Sequence, residues 1–287
     1  MSVPGLRRAG MVDMEPNTTL VQQYPAHEAV PESSSPSPSV IVLPDARGLT
    51  PEVRALANRL AREGFFTLAP NPYAHPFSVA AGAPPWMSYP MEIAAEEGFS
   101  GFPVRSSFRI EEEAEARALA ASLSPERVRE LVGRTIGYLA LCAEADPGRV
   151  GILGLGVGGR NGFRAACELG ERVRALAVWS GGGIAARFPL RPAETMPILE
   201  YESLRSPVLF LYGATDREAG AAEREAIGRI LAAAGVPHEI AVFPEAGHAF
   251  FDEESPDFRI AASREAWEKT VGFFRGALAP SPGGSRA

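Results

Sequence analysis

Short, unbroken apolar runs separated by helix-like stretches recur along most of this 287-residue chain. The runs are Ser39–Leu43, Phe65–Ala69, Arg149–Leu153, Val173–Trp179, Val208–Tyr212 and His238–Phe243. A strand with one wet face alternates apolar and polar residues, whereas a strand covered on both faces reads as a continuous apolar run. The intervening segments have the length and pattern of helices, at about 51–63, 111–123, 125–145, 160–169, 221–234 and 263–278. The first has Thr50 as N-cap, Pro51 at the first helical position and Gly64 as its stop. This order predicts an α/β fold with a mostly parallel, doubly wound sheet and helices on both faces. An apolar fraction of 46% is ample for one such core.

The flanks do not share this rhythm. Residues 1–37 lack apolar periodicity and end in a Ser/Pro-rich stretch, which predicts a flexible arm with one short edge strand around Thr19 to Gln22. Residues 280–287 read as an equally loose tail, leaving one domain over 38–279. Within it, residues 71–110 carry six prolines and seven aromatics, Trp86 among them. That is too apolar for a linker and too long for a simple connection. A loop folded over the sheet edge, covering the site, is one reading; a surface excursion packed for stability is the other.

The net charge of −7 supplies no field for nucleic acid or an anionic membrane, so neither is expected as a partner. No run approaches the ~18 apolar residues of a membrane span, and the N-terminus lacks a signal-like apolar core. A soluble cytoplasmic protein is expected. Cys142 and Cys167 both fall in helix-like segments and read as buried, reduced thiols.

The most informative turn is Gly151-Ile-Leu-Gly-Leu-Gly-Val-Gly-Gly159, between a strand and a helix. Two mechanisms use that layout. In a nucleophile elbow, glycines flank the nucleophile because side chains would collide in so sharp a turn. Gly154 and Gly158 hold the flanking places, and Gly156 holds the nucleophile's own, which is therefore empty. In dinucleotide binding, Gly154, Gly156 and Gly159 satisfy G-x-G-x-x-G. The following strand, however, ends Val178-Trp-Ser-Gly181 without the ribose-binding acid, and two strands precede the turn. Downstream, Asp216 follows one strand and His248 follows the next, the order of acid and base behind an elbow. Asp216 would then fix the tautomer of His248 and stabilise its charged form.

These residues resemble the dienelactone hydrolases, of the α/β-hydrolase fold. Gly154-Leu-Gly-Val-Gly-Gly159 is similar to that family's G-x-C-x-G-G elbow. Gly213-Ala-Thr-Asp216 and Phe243-Pro-Glu-Ala-Gly-His-Ala-Phe250 resemble its acid and histidine motifs. Asp45-Ala-Arg-Gly48 resembles its first loop, and Leu68–Tyr73 a third landmark, so the likeness spans roughly residues 39–278. The resemblance implies hydrolysis of a small-molecule ester or lactone through a thiolate, with no metal or cofactor. It implies an oxyanion hole from the amides of Ala46 and Val157, with Asp45 beside the nucleophile.

Two departures qualify this. Gly156 replaces the family's Cys. Where the prototype has an Arg shortly after the His to bind a substrate carboxylate, this chain has Phe251-Asp-Glu-Glu254, which repels an anion. Neither cysteine is placed as a substitute, and Ser180, at the end of the next strand, has no activating context. Three outcomes stay open: weak hydrolysis by water with His248 as general base, a non-catalytic small-molecule binder in which glycine relieves strain at the elbow, or a dinucleotide-binding protein.

Overall fold

The computed structural model describes residues 6–14, 24–73, 116, 118, 120, 122–186 and 195–280. The expected covering loop therefore lies outside the described residues except for 71–73, as do the expected edge strand at Thr19 to Gln22 and the tail 281–287.

Eight strands form one sheet: β1 (Leu6–Met14), β2 (Tyr24–Pro31), β3 (Ser37–Leu43), β4 (Phe66–Pro70), β5 (Ala145–Leu155), β6 (Ala175–Trp179), β7 (Val208–Gly213) and β8 (His238–Phe243). Their spatial order is β1-β2-β4-β3-β5-β6-β7-β8. From β4 to β8 every pairing is parallel, while β1 and β2 add an antiparallel edge. The helices are α1 (Pro51–Arg62), α2 (Pro125–Leu139), α3 (Val157–Leu169), α4 (Ala221–Ala233) and α5 (Ile260–Ala277).

The apolar runs divide between two faces, as a period of two requires. Ile41, Leu43, Ile152, Val178 and Phe210 point to one face and pack with Val132 of α2, Phe163 of α3 and Leu231 of α4. Val40, Val42, Leu153, Trp179 and Leu211 point to the other and pack with Leu60 of α1 and Phe274 of α5. Each buried Leu, Val or Phe of this kind contributes roughly 1.5–3 kcal/mol. The mostly parallel α/β sheet expected from the runs is what forms.

Three expectations need correction. The arm predicted over residues 1–37 instead contributes two strands. The pattern of β2 is not apolar: it carries His27 and Glu28, both buried. Each is bonded from a helix, His27 Nε2 donating to Asn58 Oδ1 at 2.9 Å and the Tyr138 hydroxyl to Glu28 Oε2 at 2.9 Å. The helix expected to reach Ala145 ends at Leu139, and β5 begins at Ala145. Cys142 consequently lies in the turn between them, partly buried, and Cys167 alone is helical and buried.

The chain runs from β3 to β4 on one side of β3 and then to β5 on the other. That reversal opens a crevice at the carboxyl ends of β3 and β5, where ligands bind in open α/β sheets. No described helix is long and apolar enough to cross a membrane.

Candidate active site

The elbow forms where the glycines predict it. β5 ends at Leu155, Gly156 turns the chain at φ 51°, ψ −121°, and α3 starts at Val157. A Cβ at Gly154 would lie 2.5 Å from Gly158 O and 2.5 Å from Gly159 Cα. One at Gly158 would overlap the carbonyl oxygens of Leu43 and Pro44. The flanking glycines therefore let α3 press against both β5 and the end of β3.

The nucleophile's place is not empty, contrary to the expectation. A Cβ built on Gly156 would overlap Asp45 Oδ1 and lie 2.6 Å from its Cγ and 3.0 Å from its Oδ2. Asp45 Oδ1 accepts hydrogen bonds from the Ala46 amide at 2.7 Å and the Val157 amide at 3.2 Å. The two predicted oxyanion-hole donors do converge on one oxygen, but that oxygen belongs to Asp45. The cause is local: glycine leaves the volume free, and the Ala46 amide of the loop after β3, together with the Val157 amide at the start of a 13-residue helix, attracts a carboxylate into it. Asp45 Oδ2 accepts no hydrogen bond from any described residue. The loop that carries the carboxylate is pinned from behind, its Asp45 carbonyl accepting from the Gly48 amide at 2.9 Å and the Tyr73 hydroxyl at 3.4 Å.

The acid and base meet as expected. His248 Nδ1 donates to Asp216 Oδ2 at 3.0 Å, with Oδ1 at 3.1 Å. Asp216, 4% exposed, is fixed by the amides of Glu218 and Ala219, at 2.8 and 3.1 Å from Oδ1. The loops that present the pair are laced together, with Ala214 N donating to Phe243 O and Thr215 N to Ala246 O, each at 2.9 Å. Two residues after His248, Phe250 stacks on Trp179 at 6.2 Å between ring centroids, and Trp179 Nε1 donates to Thr270 Oγ1 at 2.9 Å.

One participant was not anticipated. Glu218 Oε2 lies 3.6 Å from His248 Nε2, the nitrogen that faces away from Asp216. Burial acts most strongly on the imidazole and lowers its pKa. The hydrogen bond and charge of Asp216, then the charges of Glu218 and Asp45, outweigh that and push the pKa up to about 9. For Asp216 burial again is largest and raises the pKa, but His248 and the two amides reverse it, and the carboxyl titrates below its usual range. At neutral pH the pair is thus an imidazolium beside a carboxylate.

A cleft of about 440 Å³ opens beside Asp45, walled by Leu56, Leu155, Trp179, Ala249 and Phe251. Gly156 and His248 do not line it, so Asp45 stands between the cleft and the elbow. The acidic stretch after the histidine is less repulsive than its sequence suggests, because Asp252 pairs with Arg47 at 2.5 Å. Glu253 and Glu254 remain on the cleft wall.

None of the substitute nucleophiles reaches this geometry. Burial pushes the Cys167 thiol up to about 12, with Glu200 adding to it. Cys142 Sγ donates to the Tyr138 carbonyl at 3.4 Å. Ser180 is fully buried at φ 53°, its hydroxyl without a partner among the described residues, and it does not line the cleft. For a dinucleotide, the pyrophosphate would have to sit at the start of α3, where the Asp45 carboxylate already holds the Val157 amide.

Comparisons with known proteins bear on the family and the fold. A model of the dienelactone hydrolase family matches residues 25–278, which includes β2 and begins before the likeness read from the motifs. A putative carboxymethylenebutenolidase of Methylorubrum extorquens is 26% identical over 254 residues, covering 88% of this chain and 76% of that protein. A carboxymethylenebutenolidase of Rhodococcus opacus is 26% identical over 239 residues, covering 82% and 80%. Among solved structures, a putative dienelactone hydrolase of Klebsiella pneumoniae superposes with a TM-score of 0.73 at 24% identity, covering 93% of this chain and 98% of its own. A dienelactone hydrolase-like promiscuous phosphotriesterase from metagenomic libraries gives 0.65 at 19% identity, covering 96% and 100%.

Proposed function

Because the chain belongs to the dienelactone hydrolase family, we propose that it hydrolyses neutral esters or lactones without a covalent thiolate, by water that His248 deprotonates. The observation that carries this reading is the His248–Asp216 contact at 3.0 Å beside two amides that converge on a single oxygen. A base, its orienting acid and an oxyanion site remain when the nucleophile is gone, and such remnants sustain roughly 10³- to 10⁴-fold catalysis over water. The acyl substrate displaces the Asp45 carboxylate from the amides, so turnover is slow on ordinary esters. Asp45, Asp216 and Glu218 around one imidazolium favour neutral over anionic substrates. A dienelactone bearing a carboxylate is therefore a poor candidate.

Hydrolysis of an activated neutral ester, compared between the chain and its His248→Ala variant, tests the proposal. The chain should exceed the variant by at least about tenfold; equal rates would remove the activity. The pH profile offers a second check. General-base catalysis needs the neutral imidazole, so the rate should rise about tenfold per pH unit and level off above the His248 pKa of about 9. Glu218→Gln withdraws one of the charges that hold the imidazolium and should move the midpoint to lower pH.

A second reading, a non-catalytic small-molecule binder, is favoured by the resting position of Asp45 in the oxyanion site. Under it the cleft would bind a neutral ligand and the His248→Ala comparison would show no difference.

A further inference from the structure

We propose that Asp45 is the covalent nucleophile of a second activity of this site, the opening of small neutral epoxides to vicinal diols. The carboxylate lies where the absent side chain would begin, its Cγ 2.6 Å and Oδ2 3.0 Å from the position of a Cβ on Gly156. The two oxygens are unequal. Oδ1 is anchored by the Ala46 and Val157 amides, and Oδ2 accepts from no described residue. The structure thus leaves one oxygen to attack and one to stay in place.

The chemistry of a carboxylate selects the electrophile. At an acyl carbon it would form a mixed anhydride, less stable than the ester attacked. At a strained sp³ carbon it forms an ordinary ester, and release of ring strain drives the step. The cleft beside Asp45 is walled by Leu56, Leu155, Trp179, Ala249 and Phe251, which suits a small apolar molecule. The surrounding carboxylates exclude an anionic one.

In the first step Oδ2 bonds to an epoxide carbon and the C–O ring bond breaks. The oxygen that departs takes a proton from water in the open cleft, and the hydroxide so made takes the proton of the His248 imidazolium, leaving a β-hydroxyalkyl ester on Asp45, a neutral imidazole and water. The His248 pKa near 9 keeps the imidazolium available at neutral pH. In the second step His248 removes a proton from water as the water oxygen bonds to Cγ. The negative charge develops on Oδ1, which the two amides already hold. Collapse re-forms the carboxyl C=O and breaks the bond from Cγ to the diol oxygen, which takes the proton back from His248. The Asp45 carboxyl then returns its own proton to His248. Epoxide and water are consumed, one diol is released, and the site is restored. Amides that are blocked toward a foreign acyl group are in this way correctly placed for the enzyme's own ester.

The second step rests on the water-activating dyad proposed above, whereas the first does not, and the test separates them. The full-length chain and its His248→Gln variant are incubated with styrene oxide and analysed by intact mass and peptide mapping. The variant should accumulate one styrene oxide per chain, on Asp45. A single turnover of the unmodified chain in ¹⁸O-water needs no variant to fold: it should place ¹⁸O in the Asp45 carboxylate and leave the first diol unlabelled. Asp45→Asn should lower diol formation by more than about 100-fold. The proposal is overturned by absence of the adduct, by an adduct on another residue, or by ¹⁸O in the first diol with none in Asp45. Failure of ester hydrolysis with these results intact overturns only the acyl reading, and intact ester hydrolysis without the adduct overturns only this one.

Discussion

Gly156→Cys is expected to raise hydrolysis of an activated neutral ester by at least about 100-fold over the parent chain, recovering part of the roughly 10⁶-fold that a nucleophile is worth in an intact triad. The substitution acts twice. It supplies a thiol at the start of α3, where two amides and a neighbouring imidazole favour the thiolate. It also evicts the Asp45 carboxylate, because the new Cβ overlaps Oδ1 and lies 2.6 Å from Cγ. Eviction frees the Ala46 and Val157 amides for the substrate oxyanion. A side chain at φ 51° costs on the order of 1–3 kcal/mol, so the melting temperature should fall as activity rises. Burst kinetics with a 4-nitrophenyl ester would reveal the acyl-enzyme. A folded variant that shows no burst and no gain would mean that the dyad does not reach the elbow, and the hydrolytic reading would fall with it.

The largest effect on stability is expected at Gly158, whose replacement by Ala should cost on the order of 3 kcal/mol or more. A Cβ is fixed by the backbone and has no rotamer by which to escape. At this position it overlaps the carbonyl oxygens of Leu43 and Pro44, which belong to the end of β3 and its exit. Helix α3 would have to move off the sheet, and with it the elbow and the Val157 amide. For a chain of this size each kcal/mol is about 2–4 °C in Tm, so a loss near 10 °C is anticipated. Gly137→Ala is the control: that glycine is an exposed residue in α2 with nothing within 4 Å of the added Cβ, and the change should be neutral or stabilising by about 0.5–1 kcal/mol. Equal melting temperatures for the two variants would contradict the close approach of α3 and β3.

How far the sequence foretold the molecule depended on whether the signal was local. Val208–Gly213 and His238–Phe243 announce themselves as strands, and their ends deliver Asp216 and His248 to within 3.0 Å because the loops after them are short and hydrogen-bonded to one another. β2 was missed because His27 and Glu28 read as solvent-facing until Asn58 and Tyr138, distant in sequence, are seen to bond them. The role of Glu218 had a faint local signal. In Asp216-Arg-Glu218 the carboxylate accepts the amide two residues on, and that turn brings the Glu218 side chain back toward the histidine. Asp45 in the oxyanion site had none. An acid in the first loop and a glycine at the elbow were both plain, but that Asp45 fills the space left at Gly156 is a coincidence of coordinates between distant parts of the chain.

The charges around His248 bear on how a catalytic cycle would end. Hydrolysis of a neutral ester makes a carboxylate, and it makes it among Asp45, Asp216 and Glu218, with Arg47 committed to Asp252. Like charges a few ångströms apart, where water is partly excluded, repel by a few kcal/mol at an effective dielectric near 20. The product is thus expelled by the very groups that admit its uncharged precursor. Such a site would tolerate accumulated acid with little inhibition, and added salt, by screening that repulsion, would let the product linger.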